Sequence, residues 1–296
     1  MVTIFTLPDS ENAAIEFLQQ KGVLPKKRVC KAGHAMKLSV GKEVYWHCEK
    51  GRAGCSKVRM RVGNFLEGSR LPFTIFLRFV YCWSYKLTSG EFCRRELDID
   101  EDTTVDYSMY MRNVCQAYLL SKPVVKIGGE GQTVEVDESL FSKRKNNQGR
   151  ILPPTWVFGG ICRESRECFM VEVPDRTAKT LLEIIKERIA VGTTVISDCW
   201  RAYKTAELEA AGYEHLRVNH SLNFIDPSTG AHTQTVERLW GSAKERNKRQ
   251  RGKKRELLDS YMQEFMLRQE VWRGGDLFEF MLNAIADNWP PEEQLK

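Results

Sequence analysis

Gly192-Thr193-Thr194-Val195-Ile196-Ser197-Asp198 is a short apolar run closed by an acid. An uninterrupted stretch rich in β-branched residues reads as a strand buried on both faces. An acid at the carboxyl end of such a strand stands where ligand and metal sites gather in open α/β sheets. Upstream, residues 177–191 place Leu181, Leu182, Ile184, Ile185 and Ile189 at helical spacing, with Gly192 in the C′ position that ends a helix. Before that helix, residues 132–140, 155–162 and 167–173 read as strands, the last two joined by a turn at Arg163-Glu164-Ser165. Downstream, residues 200–211 read as a helix stopped by Gly212, residues 215–218 as a strand, and further helices start at Thr233, Arg255 and Asp276. Three strands, then helix, strand, helix, strand and helices, is a mixed α/β order with a five-stranded sheet.

The 296 residues are enough for two or three domains, and 42% hydrophobic with 28% charged residues describes a chain able to bury a core. No apolar run approaches the ~20 residues of a membrane helix, and residues 1–10 lack a basic-then-apolar export pattern. The net charge of +6 is mild, but its placement is concentrated: Lys143-Arg144-Lys145 with Arg150, and the run from Lys244 through Lys248, Arg249 and Arg251 to Arg255. Such clusters suit a polyanion such as DNA. Nine cysteines, an odd number without a secretory signal, argue for reduced thiols over a disulfide framework. Cys82, Cys93, Cys115, Cys162, Cys168 and Cys199 lie among apolar neighbours and are expected to be small buried hydrophobes.

Three regions precede or form the α/β segment. Residues 1–64 are read as an N-terminal helix (residues 9–21) with a zinc-ribbon-like module. There, Cys30-x3-His34 and Cys48-x6-Cys55 flank a strand at residues 36–44, and three thiolates with one imidazole are a normal structural zinc set. His47 competes with His34 for the fourth place, although beside Cys48 it would point the other way along a strand. Residues 65–123 are read as helical: an aromatic helix over 71–86, a short helix from Ser89 to about Leu97, and a longer one over 105–119. A short helix, a turn and a longer helix with Tyr107, Tyr110, Arg112 and Asn113 look like a helix-turn-helix, whose second helix would read DNA. A plain helical bundle fits the same pattern. Residues 124–290 are read as the α/β region, and residues 291–296 as a tail.

Within that region, Asp198 ends one strand and Asp137 lies late in another, Val134-Glu135-Val136-Asp137-Glu138-Ser139. If the two strands are neighbours, both aspartates face one point. Converging carboxylates select hard cations, Mg²⁺ or Mn²⁺. Two such ions about 3.5–4 Å apart activate an attacking oxygen and steady a leaving one in phosphoryl transfer. Period two puts Glu135 on the face of Asp137, and Glu138 and Asp175 are also near, so the pattern leaves the choice of acids open. On the helix from Thr233, Glu237 and Lys244 are two turns apart on one face, with Leu239 and Ala243 directed elsewhere.

Five segments occur in order: Val134-Glu-Val-Asp-Glu-Ser-Leu-Phe141, Trp156-Val-Phe-Gly-Gly160, Ile196-Ser-Asp-Cys-Trp-Arg-Ala-Tyr203, Val218-Asn-His-Ser221 and Gly230-Ala-His-Thr-Gln-Thr-Val-Glu-Arg-Leu-Trp240. Together they resemble the Merlin superfamily of cut-and-paste DNA transposases and its bacterial insertion-sequence relatives, over roughly residues 30–269. The resemblance implies an RNase H-like catalytic domain whose metal-binding acidic triad is Asp137, Asp198 and Glu237. It implies two Mg²⁺ or Mn²⁺ ions, cleavage at terminal inverted repeats, and joining of the 3′ hydroxyl to target DNA by direct transesterification. Lys244 matches a lysine thought to contact DNA. Arg176, Asn219, His220 and His232 match positions near the site, either touching substrate or acting structurally. Double-stranded DNA is the implied partner, and pairing two ends implies a homodimer or larger assembly. The basic run after Lys244 also resembles a nuclear-localisation patch, so the expected location is the nucleus in a eukaryotic host and the nucleoid otherwise. A DNA-binding protein domesticated from a transposase and a structure-specific nuclease of the same fold are the alternatives.

Overall fold

The computed structural model describes residues 3–50, 57–141, 155–200, 202–219, 225–249 and 255–294. In chain order the elements are α1 (Glu11–Gln20), β1 (Lys37–Val40), β2 (Val44–His47), β3 (Val58–Arg59), α2 (Phe73–Ser84), α3 (Gly90–Glu96), α4 (Glu101–Ser121), β4 (Thr133–Leu140), β5 (Trp156–Cys162), β6 (Cys168–Val173), α5 (Ala178–Arg188), β7 (Thr194–Asp198), α6 (Thr205–Ala210), β8 (Glu214–Val218), α7 (Gln234–Arg249), α8 (Leu258–Trp272) and α9 (Leu277–Asn288). Among the described residues no helix is long and apolar enough to cross a membrane. The chain divides into two compact units, one of residues 1–120 with 271–296, the other of residues 121–270.

In the first unit α2 is the organising element. Phe73, Phe76, Leu77, Phe79, Val80 and Trp83 are all buried. A helix apolar on so much of its circumference must be covered on several sides. α1 supplies Ala14, Ile15 and Leu18, and α9 supplies Phe278, Met281, Leu282 and Ile285. Side chains set the ends: Ser10, Ser89 and Asp276 accept from backbone N–H groups of Ala13, Phe92 and Phe278 at the starts of α1, α3 and α9. The zinc-ribbon-like and helical segments of the sequence reading fall in this one unit, and α9 falls with them. The strand expected at residues 36–44 is a hairpin of β1 and β2, extended by β3 into a small antiparallel sheet.

The second unit has a five-stranded sheet in the order β6-β5-β4-β7-β8. β4, β5 and β6 form an antiparallel meander, while β7 and β8 run parallel to β4. This is the RNase H-like arrangement. One face of the sheet carries Val134, Val136, Phe158, Phe169 and Val195 against Leu181 and Ile185 of α5 and Leu208 of α6. The opposite face carries Val157, Ile161 and Met170 against Val236, Leu239 and Trp240 of α7 and Leu258 and Met262 of α8. Both faces are covered, which is why β7 reads as continuous apolar sequence. Two helix limits differ from expectation. α5 ends at Arg188, leaving Gly192 in the following turn with φ +87°. α6 spans only residues 205–210, although Gly212 does follow it with φ +88°. Cys82, Cys93, Cys115 and Cys162 are buried as expected and Cys168 is half-buried, but Cys199 is exposed.

Candidate active site

β4 alternates its side chains between the two covered faces. Val134 and Val136 enter the α5 side, so Glu135, Asp137 and Ser139 point to the α7 side. All three meet α7 in sequence. Glu135 accepts from the backbone N–H groups of Thr235 and Val236 at 2.7 and 2.9 Å. Trp240 Nε1 donates to Asp137 Oδ2 at 3.1 Å, and Lys244 Nζ donates to Ser139 Oγ. The spacings match: alternate strand residues advance about 6.6–6.8 Å, and residues four apart on a helix advance about 6 Å. Helix and strand are therefore joined rung by rung, at 135 with 236, 137 with 240 and 139 with 244.

The first rung settles the role of Glu135. Its side chain is fully buried, a position a carboxylate keeps only with partners. Besides the two backbone donors of α7, it takes Arg163 Nε at 2.6 Å and stands 3.4 Å from His232 Nδ1. A negative charge at the N-terminus of α7 is favourable on its own account. Arg163 also donates to the backbone carbonyl of His232. Glu135 and His232 are thus engaged in fixing where α7 begins.

Asp137 has a different environment. β4 and β7 pair in parallel as far as Glu135 with Ile196, and Asp137 and Asp198 each lie two residues beyond that pair. Burial, then the charges of Glu138 and Asp198, push the Asp137 carboxyl up to about 7, against hydrogen bonds from the Glu138 backbone and the Trp240 indole. Glu138 points to the other face, where the Tyr203 hydroxyl donates to it. Its carboxyl is also raised, by burial first and by Asp198, while Tyr203 and Arg176 work in the opposite direction. Asp198 Oδ1 accepts from the backbone N–H of Trp200 at 2.9 Å. Glu237 is exposed in the first turn of α7. The structure brings Asp137 and Asp198 together. It does not gather all three acids as closely as a tight ligand set: the one group of three or more potential ligand residues within 4.8 Å of one another, among those described, is Cys30, His34 and Cys48.

The sheet order, the paired aspartates and the glutamate on α7 converge on one comparison. Residues 128–270 match the family model of the ISXO2-like transposase domain. The transposase resemblance read from the five motifs stands on this match. An uncharacterized transposase-like protein of Haemophilus influenzae is 28% identical over 96 residues, 32% of this chain and 75% of that protein. The male abnormal protein mab-31 of Caenorhabditis elegans is 28% identical over 153 residues, 46% of this chain but 36% of that protein. Among solved structures, the catalytic core domain of BIV integrase is similar over 46% of this chain and 80% of its own, at 12% identity and TM-score 0.32. The simian T-cell lymphotropic virus intasome in complex with PP2A regulatory subunit B56 gamma is similar over 47% of this chain and 50% of its own, at 14% identity and TM-score 0.31.

Around the acids of this transposase-like domain, Arg176 is held between two indoles, 3.6 Å from the Trp156 ring centre and 4.8 Å from that of Trp200. Its guanidinium is stacked, which gives it a packing role that the sequence pattern did not show. Lys244 lies 5.0 Å from the Phe141 ring centre. Lys143, Arg144, Lys145, His220 and Arg251 fall outside the described residues, and of Lys248 and Arg249 only the helical backbone is described.

In the first unit, Cys30 Sγ and Cys48 Sγ lie 3.7 and 3.8 Å from His34 Nδ1. His34, not His47, joins the cysteines. Cys55 lies outside the described residues. On α4, Tyr107 and Arg112 are buried. Tyr107 is 5.6 Å ring to ring from Phe79 and hydrogen-bonds Ser69. Tyr110 and Asn113 are the exposed residues of that set, and they line an open groove of about 660 Å³ with Arg70, Leu71 and Trp289.

Proposed function

We propose that this chain is a DNA transposase that cleaves transposon ends at terminal inverted repeats and joins the freed 3′ hydroxyl to target DNA by two-metal-ion phosphoryl transfer. One observation carries the reading. Asp137 and Asp198 lie on the adjacent strands β4 and β7, each two residues past their last pair, and burial, then the charges of Glu138 and Asp198, lifts the Asp137 carboxyl to about 7. A pair of carboxylates set against each other in this way is short of positive charge, and hard divalent cations supply it. The donor set is all oxygen, which fits Mg²⁺ or Mn²⁺.

Asp137 and Asp198 would hold the cations, with Glu237 as the third ligand. Such ions supply an activated attacking oxygen and charge relief at the departing one. The protein does the positioning. Glu135 and Arg163 fix the start of α7, so Glu237 stands two residues beyond the capped N–H of Thr235. Lys244, tied to Ser139 on the third rung, sets a positive charge beside the acids, where a phosphate would approach. Tyr110, Asn113 and the groove beside them would take the terminal repeat, and the basic run after Lys244 would clamp donor or target DNA. Cys30, His34 and Cys48, with Cys55 as the fourth, would hold a structural zinc ion. Two ends need two active sites, hence a dimer or larger assembly, in the nucleus of a eukaryotic host or at the nucleoid otherwise.

The test is an incubation of the protein with labelled inverted-repeat DNA, a target plasmid and Mg²⁺ or Mn²⁺. Joined products support the reading. Cleavage without joining would mark a nuclease, and binding alone a DNA-binding module. Glu237→Gln should lose cleavage and joining while keeping DNA binding, and joining by that variant would overturn the triad.

A further inference from the structure

We infer that Trp240 is a positioning residue for Asp137: its indole N–H holds one carboxylate oxygen, Oδ2, and so leaves the other presented to a cation. The inference rests on the metal-dependent reading above and deepens it.

Three observations support it. The indole Nε1 lies 3.1 Å from Oδ2, on the middle rung of the α7–β4 contact. The ring is buried, packed among Val157, Ile161, Met170, Val236 and Leu239, with the Phe141 ring 5.9 Å away edge-on, so it has little freedom to swing. The third observation is Gly159. It pairs with Asp137 in the β4–β5 register, and a Cβ built there would lie 2.6 Å from Trp240 Cη2 and 2.9 Å from the Phe169 carbonyl oxygen. Its backbone is not left-handed, so no turn requires a glycine at this point. What requires it is space: the indole lies over the strand at the residue beside Asp137. Glycine weakens a strand interior, and here the close approach of the indole accounts for its presence.

A buried apolar ring filling a gap would need no donor. An N–H aimed at Asp137 Oδ2 does need that ring in that place, because the bond fixes which way the carboxylate is turned. Hydrogen bonds to metal-ligating carboxylates fix their orientation, and losing such an outer partner lowers metal affinity by about 10–100-fold.

The experiment compares the full chain with Trp240→Phe, Gly159→Ala and Leu239→Ala, measuring Mn²⁺ affinity by calorimetry and folding by circular dichroism. The relevant Mn²⁺ signal is the one abolished by Asp198→Asn. Trp240→Phe, which keeps a ring but no donor, should weaken Mn²⁺ binding about 10-fold or more. Gly159→Ala, which displaces the indole, should act in the same direction. Leu239→Ala removes packing from the same cluster without touching the bond, and should lose stability while keeping the parent affinity. Parent-like Mn²⁺ affinity in folded Trp240→Phe would overturn the inference, as would an equal loss in Leu239→Ala. Should Trp240→Phe fail to fold, the parent itself decides. The Trp240 indole resonance in ¹⁵N spectra should shift on Mg²⁺ addition and saturate with the binding curve, and a resonance unmoved at saturation would sink the idea. A parent chain that binds no Mn²⁺ overturns the metal-dependent reading itself, a failure visible before any Trp240 variant is compared.

Discussion

At the scale of the residue, Asp137 is an acid whose surroundings, burial first, oppose its charge. Its carboxyl sits near 7 because burial and the charges of Glu138 and Asp198 penalise the ionised form. The folded chain therefore keeps a proton that the unfolded chain releases above about pH 4. Stability from this group declines as pH rises from about 4 through about 7, and the metal-free protein at pH ~8 carries the full penalty. Asp137→Asn should accordingly melt higher than the parent in chelator at that pH, by about 2–4 °C for each kcal/mol relieved, while losing cleavage. Calorimetric scans at pH ~5 and ~8 check this, since the gain should shrink at the lower pH. A melting temperature no higher than the parent's at pH ~8 would mean that the acids are compensated. The aspartates were legible in the sequence as strand-end acids, but not their coupling, which depends on β4 and β7 being neighbours 61 residues apart in chain numbering. Nor did the pattern distinguish Glu135 from Asp137 on one strand face. The distinction lies in Arg163 and two backbone N–H groups of α7, partners that only the folded chain assembles.

At the scale of the element, α7 is the part whose placement matters most. Its amphipathic pattern was visible, and Leu239 and Ala243 do pack toward the sheet. What the pattern could not give was its register on β4, set by one buried carboxylate at the helix N-terminus. Removing one partner from a buried ion pair leaves the other uncompensated, at about 3–5 kcal/mol. Glu135→Ala should therefore destabilise the second unit by that order and weaken cleavage through misplacement of Glu237. Denaturant midpoints measure the first effect, and a loss below 1 kcal/mol would show that α7 does not depend on this anchor. The small β1–β2–β3 sheet poses the converse case. The alternation across residues 36–44 was read as one strand, but the chain turns back after Val40 and Cys48 follows directly on β2. The hairpin is what returns Cys48 to Cys30 and His34. With so few buried side chains in those short strands, metal is expected to replace a core. One zinc per chain should be found by atomic absorption, and Cys48→Ser should lose it together with protection of the β1–β3 amides from hydrogen exchange. Retained protection in the zinc-free variant would show that the sheet folds unaided.

At the scale of the whole molecule, the order of strands and helices from residue 133 to residue 249 was readable because each segment is short and strongly patterned. The extent of the units was not. α9 follows α8 with a break at Gly274-Gly275 that looks like an ordinary turn, yet its Phe278, Met281 and Leu282 join the unit built on α2. Hydrophobic periodicity states that a face must be buried, not which partner buries it. The same dependence on the assembled fold governs acid sensitivity. His215, on β8, is buried with Nε2 bonded to Ser197 Oγ and Nδ1 to Thr205 Oγ1, each at 2.9 Å. Burial, then Arg217, lowers it to about 4. The folded unit thus keeps His215 neutral where the unfolded chain protonates it, below about pH 6.5. As pH falls from about 6.5 to about 4, this group subtracts stability, up to about 3 kcal/mol for a shift of that size. Asp137 and Glu138 act in the opposite sense over an overlapping range, because their raised values make the folded state gain from acidification. The parent's pH profile is then a difference of two slopes, and variants separate them. His215→Gln should remove the acid-side loss, so that its stability relative to the parent improves as pH falls from about 6.5 to about 4.5. Asp137→Asn should show the reverse trend over the same range. Urea midpoints measured across that interval test both, and a His215→Gln profile running parallel to the parent's would mean that the imidazole is protonated in the folded unit.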